Sequence, residues 1–198
     1  MRYRSILKQM DCIKNEIIKY IELNLTQKRL RHTYSVASEA VKLAERYGCD
    51  TKKAELAAFC HDMFRSKPAG DLDMYVKELG LPQKLLENVN LSHGKVAAEM
   101  MKRRYHIDDK DMINAVAFHT TGRKGMSVLE KIIFLADAIE PGRNYPGVEE
   151  MRKTAYTDLD KACIMSLERT VQYVRDRGEY LDPDTEDALN DLKEKQNL

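Results

Sequence analysis

The chain has no tryptophan and only 4 phenylalanines and 4 cysteines among its 198 residues. The cysteines (Cys12, Cys49, Cys60 and Cys163) are scattered and form no C-x-x-C pair. A disulfide scaffold and a structural zinc site built on cysteine are therefore not expected. Glycine (9) and proline (5) are also few, and the chain has no internal repeat or low-complexity segment.

No charge of one sign dominates the sequence, because 33 Lys and Arg residues stand against 32 Asp and Glu. A net charge of +1 lacks the basic excess of a nucleic-acid-binding protein, so no nucleic-acid partner is expected. No apolar run approaches the roughly 18–20 residues that cross a bilayer, and the charged N-terminus lacks the apolar block of a signal peptide. We therefore expect a cytoplasmic protein with no membrane partner.

Apolar residues recur at intervals of three and four, which is the helical period. One such stripe runs over 6–25 and a second over 36–47, where Gly48 predicts the end of a helix. Asp50 or Thr51 can cap a third helix that ends at His61. No segment predicts a strand, and this length fits one domain. The sequence therefore predicts an all-α, single-domain protein over 1–198.

The second half of the chain continues the same pattern. Short helices are predicted over 71–79 and 83–91, a longer one over 94–105, and another that carries His119. Ser127 and Glu130 form a capping-box motif that begins a helix ending before proline 141. A long helix is predicted near 158–177, and proline follows Asp182 as it does at many helix starts.

Histidines and aspartates carry the chemistry of this sequence. In order along the chain they are His32, the dipeptide His61-Asp62, His93, His119 and Asp137. Asp137 lies within the apolar run IIFLADAIE, where a carboxylate needs a charged partner. A metal cation would satisfy that need, and imidazole with carboxylate suits Fe, Mn, Co, Ni or Zn. Helices that converge can bring such side chains to one metal site.

The order of these residues resembles the metal-binding signature of the HD-domain phosphohydrolases. The stretches RLRHTYSVA, LAAFCHD, FHTTGRKGMSVLEKIIFLADAIEPGRNYPGVEEMR and YLDPDT resemble the YqeK-type group, the symmetrical bis(5′-nucleosyl)-tetraphosphatases. This resemblance covers about 20–190, nearly the whole chain. It implies a single HD-domain helical bundle with a metal site between helices.

The same resemblance implies the ligands, the cofactor and the reaction. The metal ligands would be His32, His61, Asp62 and Asp137, and they would hold one or two divalent transition-metal ions, iron first among them. The substrate would be a dinucleoside polyphosphate, diadenosine tetraphosphate, cut by an activated water into two ADP. Whether the chain forms a homodimer is left open.

Arginines near the ligand segments supply charge for a polyphosphate. Arg29 precedes His32 by one helical turn, Arg65 follows Asp62, and Arg143 follows Asp137 beyond the end of its helix. Together they would form a forked clamp for phosphate. His93 and His119 could bind phosphate oxygens, protonate the leaving diphosphate or complete a second metal site. Asp62, Arg65, His93 and His119 are the predicted catalytic residues.

By resemblance, a loop near the C-terminus would border the nucleotide. Its residues are Tyr180, Leu181, Asp182, Pro183, Asp184 and Thr185, with Asp182 where relatives frequently have histidine. Met63 and Phe64, between the His-Asp pair and Arg65, are also predicted to contact the ligand. Two other functions use the same residues: another HD-type nucleotide phosphohydrolase or phosphodiesterase, and a nucleotide-binding regulator without catalysis. Complete ligands disfavour the regulator, which needs no water-activating metal.

Overall fold

The structure, a computed structural model, describes residues 2–196, with side chains from residue 10 onward. Over that range it contains ten α-helices, one short 3₁₀ helix and no strand. The α-helices are α1 Arg2–Asn24, α2 Gln27–Tyr47, α3 Thr51–His61, α4 Ala69–Glu78, α5 Val89–Tyr105, α6 Lys110–Ala117, α7 Val128–Ile139, α8 Val148–Ala155, α9 Leu159–Asp176 and α10 Pro183–Gln196. The 3₁₀ helix spans Gln83–Leu85. The all-α prediction is confirmed.

The short helix α3 occupies the centre of the molecule. Its C-terminal half is buried from Leu56 to His61 and apolar up to His61, as a helix segment enclosed on all sides must be. It packs against α1, α2, α5, α6 and α7. Buried apolar residues from all ten helices join in one continuous core around it. The His61-Asp62 pair at its C-terminal end is therefore held deep inside the bundle.

Local sequence signals set several helix ends as predicted. Gly48 ends α2 in the left-handed conformation with φ 65°, and the Asp50 carboxylate accepts the free amides of Lys52 and Lys53 at the start of α3. Ser127 and Glu130 make both bonds of the capping box at the start of α7. These contacts fix where the ligand-bearing helices begin and end.

Three helix predictions were wrong in their bounds, and a fourth helix was not predicted. The segment 83–91 is helical only over Gln83–Leu85, and α5 begins at Val89 because the Asn88 side chain caps it. His93 therefore lies within α5 and not before it. Helix α6 ends at Ala117, so His119 lies in the following turn. Helix α8 was not predicted because it is short and strongly charged, and no side chain caps its start after Gly147.

Candidate metal centre

His61 and Asp62 end the central helix and form the floor of the site. His61 is completely buried, and its Nδ1 donates to the Ala58 carbonyl at 2.6 Å. A carbonyl can only accept, so Nδ1 carries the proton and Nε2 presents a lone pair. That Nε2 has no hydrogen-bond partner among the described residues. Burial lowers the pKa of His61 to about 4, which keeps the ring neutral as a metal ligand requires.

His32 on α2 and Asp137 on α7 meet His61 from two other helices. Nε2 of His32 lies 3.0 Å from Oδ1 of Asp137. The angles at these atoms do not make a hydrogen bond, so Nε2 has no hydrogen-bond partner among the described residues. His32, His61 and Asp137 each present one ligand atom within 4.8 Å of the others. Burial alone would raise the pKa of the Asp137 carboxyl, but His32 and Arg143 hold it well below its usual range. Three ligands from three helices therefore converge on one point.

His93 and His119 form a second group on the other side of Asp62. Nδ1 of His93 donates to Val89 O at 2.7 Å, and Nδ1 of His119 donates to Val116 O at 2.8 Å. Both rings therefore present Nε2 lone pairs to the site, and these two atoms are only 3.0 Å apart. Two lone pairs at that distance repel unless a cation or a proton lies close to both.

The Asp62 carboxylate joins the two groups. Its Oδ2 lies 3.9 Å from Nε2 of both His32 and His61, and its Oδ1 lies 3.1 Å from Nε2 of His93 and 3.8 Å from that of His119. Although burial opposes ionisation, these four rings surround the carboxylate and the histidines hold its pKa well below the usual value. The unpartnered imidazole nitrogens and ionised carboxylates fit divalent transition metals.

The three arginines take different partners around this centre. Arg29 donates to Oδ2 of Asp62 at 3.0 Å, and Arg143 binds Asp137 through its carboxylate and its main-chain carbonyl. Arg65 donates to the Asn90 side chain at 2.5 Å. All three line a cleft of about 710 Å³ that also exposes Asp62, His93, His119 and Asp137.

The predicted C-terminal loop reaches this cleft in part. Tyr180, Leu181, Asp182 and Thr185 line it. The buried Asp182 carboxylate accepts from Lys84 at 3.0 Å and from the main-chain nitrogen of Asp184. Pro183 begins α10, and Asp184 instead faces Lys95 at 3.9 Å. Neither Pro183 nor Asp184 is among the residues that line the cleft.

Met63 and Phe64, which the sequence predicts to contact the ligand, do not reach the cleft with their side chains. Both are 1% exposed and lie in the hydrophobic core. The Phe64 ring packs against Tyr20 and Tyr75, with ring centroids 5.7 and 5.3 Å away. The turn after α3 points these two apolar side chains inward, while Asp62 and Arg65 of the same turn face the cleft.

Two residues of the site were missed from the sequence. Glu140 is buried and contacts Nδ1 of His32 at 3.1 Å. Like Asp137, it lies near the end of an apolar helix, and this position could have identified it as a buried carboxylate that needs a partner. Gly94 allows α5 to approach the turn that carries His119, since a Cβ there would lie 2.9 Å from the His119 ring. Nothing in the local pattern marked this glycine.

Comparison with known proteins identifies the family of the segment that carries these residues. The model of the HD domain family matches residues 29–142, which include His32, His61, Asp62 and Asp137. The chain belongs to the HD domain family. Domains of this family bind divalent metals, and here the His and Asp groups that could hold such an ion lie inside the matched segment.

Relatives of this HD domain protein match over most of its length. It is 39% identical to the symmetrical bis(5′-nucleosyl)-tetraphosphatase of Bacillus subtilis over 173 residues, which cover 87% of this chain and 93% of that protein. It is 39% identical to the protein of the same name from Halalkalibacterium halodurans, covering 90% and 96%. A crystal structure from Clostridium acetobutylicum, described as a predicted HD superfamily hydrolase involved in NAD metabolism, superposes with a TM-score of 0.86 at 41% identity, covering 91% of this chain and 97% of that chain.

Proposed function

We propose that this protein hydrolyses dinucleoside tetraphosphates symmetrically, with diadenosine tetraphosphate as the substrate and two ADP as the products. The observation that carries the proposal is a cluster of four histidines and two aspartates at the floor of a cleft that three arginines line. Such a donor set suits a water-activating metal, and the arginines suit a highly charged phosphate chain. The activity named for two relatives, each 39% identical over most of this chain, supports the same substrate.

His32, His61, Asp62 and Asp137 are proposed to hold an iron ion, although their donor types also accept Mn, Co, Ni or Zn. A divalent metal bound there supplies a Lewis acid that lowers the pKa of water. The protein contributes the fixed orientation of each ligand, because the Nδ1 bonds of His61 to Ala58 and of His32 to Glu140 leave Nε2 to face the site.

His93 and His119 are proposed to take a second cation, together with Oδ1 of Asp62. Because both rings carry their proton on Nδ1, neither Nε2 atom is protonated. The two Nε2 lone pairs, whose atoms lie 3.0 Å apart, can therefore both face one cation. His61, Asp62 and His119 also present ligand atoms within 4.8 Å of one another. A single carboxylate, Asp62, would then serve both ions.

Arg65 is proposed to bind the phosphate chain. Among the described residues it makes no ion pair, whereas Arg29 and Arg143 already contact aspartates. Its guanidinium lies in the cleft wall beside Asp62 and His93. A phosphate at this position would receive charge-assisted hydrogen bonds that fix the reacting phosphorus above the floor of the site.

The position of the broken bond tests this function. With diadenosine tetraphosphate, Fe²⁺ or Mn²⁺ and ¹⁸O-water, attack at the second phosphorus from one ribose should give ADP alone, with label on the terminal phosphate of one ADP in each pair. Protein with Asp62→Asn, prepared identically, controls for contaminating phosphatases and should form no product. Formation of ATP with AMP, or no turnover with either metal, would show that the proposed reaction is wrong.

A further inference from the structure

The turn that follows α7 places a buried carboxylate against the metal centre. Glu140 is only 4% exposed. Its Oε1 lies 3.1 Å from Nδ1 of His32, and its Oε2 accepts the main-chain N–H of Gly142 at 2.6 Å. Two donors therefore face the two oxygens of one side chain. A carboxylate satisfies both, whereas the amide of glutamine has one acceptor oxygen and would point an N–H₂ group at a donor.

His32 differs in this respect from the other three histidines of the centre. His61, His93 and His119 donate Nδ1–H to main-chain carbonyls of the preceding helical turn. Their orientation is therefore set locally, by α3, by α5 and by the last turn of α6. His32 instead takes its Nδ1 partner from a side chain 108 positions away, on a different helix end. Its orientation depends on the turn that holds Glu140.

That turn is fixed by two further features. The Arg152 guanidinium on α8 donates to the carbonyls of Ile139, Glu140 and Arg143 at 2.8, 2.9 and 2.7 Å. Gly142 provides space, because a Cβ at that position would lie 3.0 Å from both Glu140 carboxylate oxygens. The space is needed because the carboxylate is held between its two donors and must shift by a few tenths of an ångström to admit a methyl group.

We propose that Glu140 is the positioning residue of the metal centre, which fixes His32 with Nδ1–H inward and Nε2 toward the ion, and that Gly142 completes this arrangement. The proposal rests on the metal centre proposed above. A carboxylate behind an imidazole ligand both orients the ring and makes it a better donor, and removal of such a partner weakens metal binding by about 10- to 100-fold.

Mn²⁺ affinity of the metal-free protein, measured by chelator competition, tests the proposal without any nucleotide. Glu140→Gln should bind Mn²⁺ about 10- to 100-fold more weakly than the parent. Gly142→Ala should shift the affinity in the same direction by less, because it displaces the carboxylate without removing it. The milder variant also serves if Glu140→Gln does not fold.

Glu130→Gln is the matched control. Glu130 lies on α7, the helix that precedes Glu140, and is 2% exposed, but its carboxylate is bound by Arg123 at 2.6 Å. This variant should melt at a lower temperature and bind Mn²⁺ as the parent does. A loss of affinity equal to that of Glu140→Gln would mean that general destabilisation is responsible, and the positioning role would be wrong.

A spectroscopic measurement reports on the His32 ring itself. In the zinc-loaded parent, long-range ¹H–¹⁵N spectra should show a His32 Nδ1–H protected from exchange by Glu140. In Glu140→Gln this signal should exchange faster, while those of His61 and His93 are unchanged. An unaltered His32 signal together with Mn²⁺ affinity within threefold of the parent in both variants would overturn the proposal, whatever substrate the enzyme hydrolyses.

Discussion

Arg143 binds Asp137 at two points: Nε donates to the main-chain carbonyl at 2.7 Å, and a terminal nitrogen donates to the carboxylate. The sequence predicted Arg143 only as part of a phosphate clamp. In the structure its guanidinium supports a candidate metal ligand, and Arg29 contacts another, Asp62, through a single carboxylate oxygen at 3.0 Å. Arg65 is the arginine of the three that no described carboxylate engages, so the three positions should respond differently to mutation.

Arg65→Gln should lower kcat/KM for diadenosine tetraphosphate by about 10- to 100-fold, as expected for loss of charge-assisted bonds worth roughly 1.5–3 kcal/mol. Its Mn²⁺ content should equal that of the parent. Arg143→Gln should lower both kcat/KM and Mn²⁺ affinity, because Asp137 loses its support. Arg103→Gln, at an exposed position on α5, is the control. Unchanged kinetics of Arg65→Gln would remove Arg65 from the substrate site.

Asp62→Asn should remove most of the bound metal, because each carboxylate oxygen faces a different pair of histidines. Elemental analysis of protein purified without chelator should show this loss, and His61→Ala should lose metal as well. The rate should fall by at least about 10²-fold, since a metal contributes several kcal/mol to the transition state. Asp176→Asn, exposed at the end of α9, should retain full metal. Parent-like metal content in both site variants would contradict the ligand assignment.

Gly94→Ala should impair the site without removing any polar group. The added Cβ would lie 2.9 Å from two ring atoms of His119 and 2.9 Å from the Val116 carbonyl, so α5 or the ring must move. A displacement near 1 Å can cost about 10²-fold in rate, and we expect kcat to fall at least about tenfold. Gly70→Ala, with no atom within 4 Å of its Cβ, should keep parent activity. Equal activity of the two variants would show that the close approach is unimportant.

Lys95 should make stability depend on pH. Its Nζ lies 3.1 Å from the centroid of the Phe118 ring, and burial lowers its pKa from 10.5 to about 8 despite the nearby Asp184 carboxylate. Between pH 8 and 10.5 the unfolded chain therefore binds a proton at this residue that the folded protein has released, so stability should rise with pH across that interval.

Lys95→Met should consequently stabilise the protein more at pH 7 than at pH 10, with the difference about 2 kcal/mol. Urea unfolding of parent and variant at the two pH values measures it. Lys77→Met, at an exposed lysine on α4, controls for general loss of a lysine. An equal effect of Lys95→Met at both pH values would show that Lys95 keeps its ordinary protonation behaviour.

Much of the fold was predictable because its signals are local. The three- and four-residue apolar spacing depends only on the helical repeat, and Gly48, Asp50 and Ser127 act through backbone groups within a few residues. Helix α8 was not predicted, because short, charged helices gain their stability from packing against the rest of the protein, which the spacing of apolar residues does not reveal. The bounds of α5 depended on the Asn88 cap, which the pattern of apolar residues does not include.

The candidate ligands His32, His61, Asp62 and Asp137 were predicted through the resemblance of their order to the HD-domain signature, and the apolar surroundings of Asp137 indicated by themselves only that this carboxylate needs a charged partner. How they meet was decided by the tertiary structure. Three features depend on which helix ends come together. The Asp62 carboxylate contacts two pairs of histidines, Glu140 supports His32, and the side chains of Met63 and Phe64 pack inward. The sequence alone determined which side chains could bind metal and phosphate; contacts between residues distant in the chain decided their partners, because such contacts form only when the bundle packs around α3.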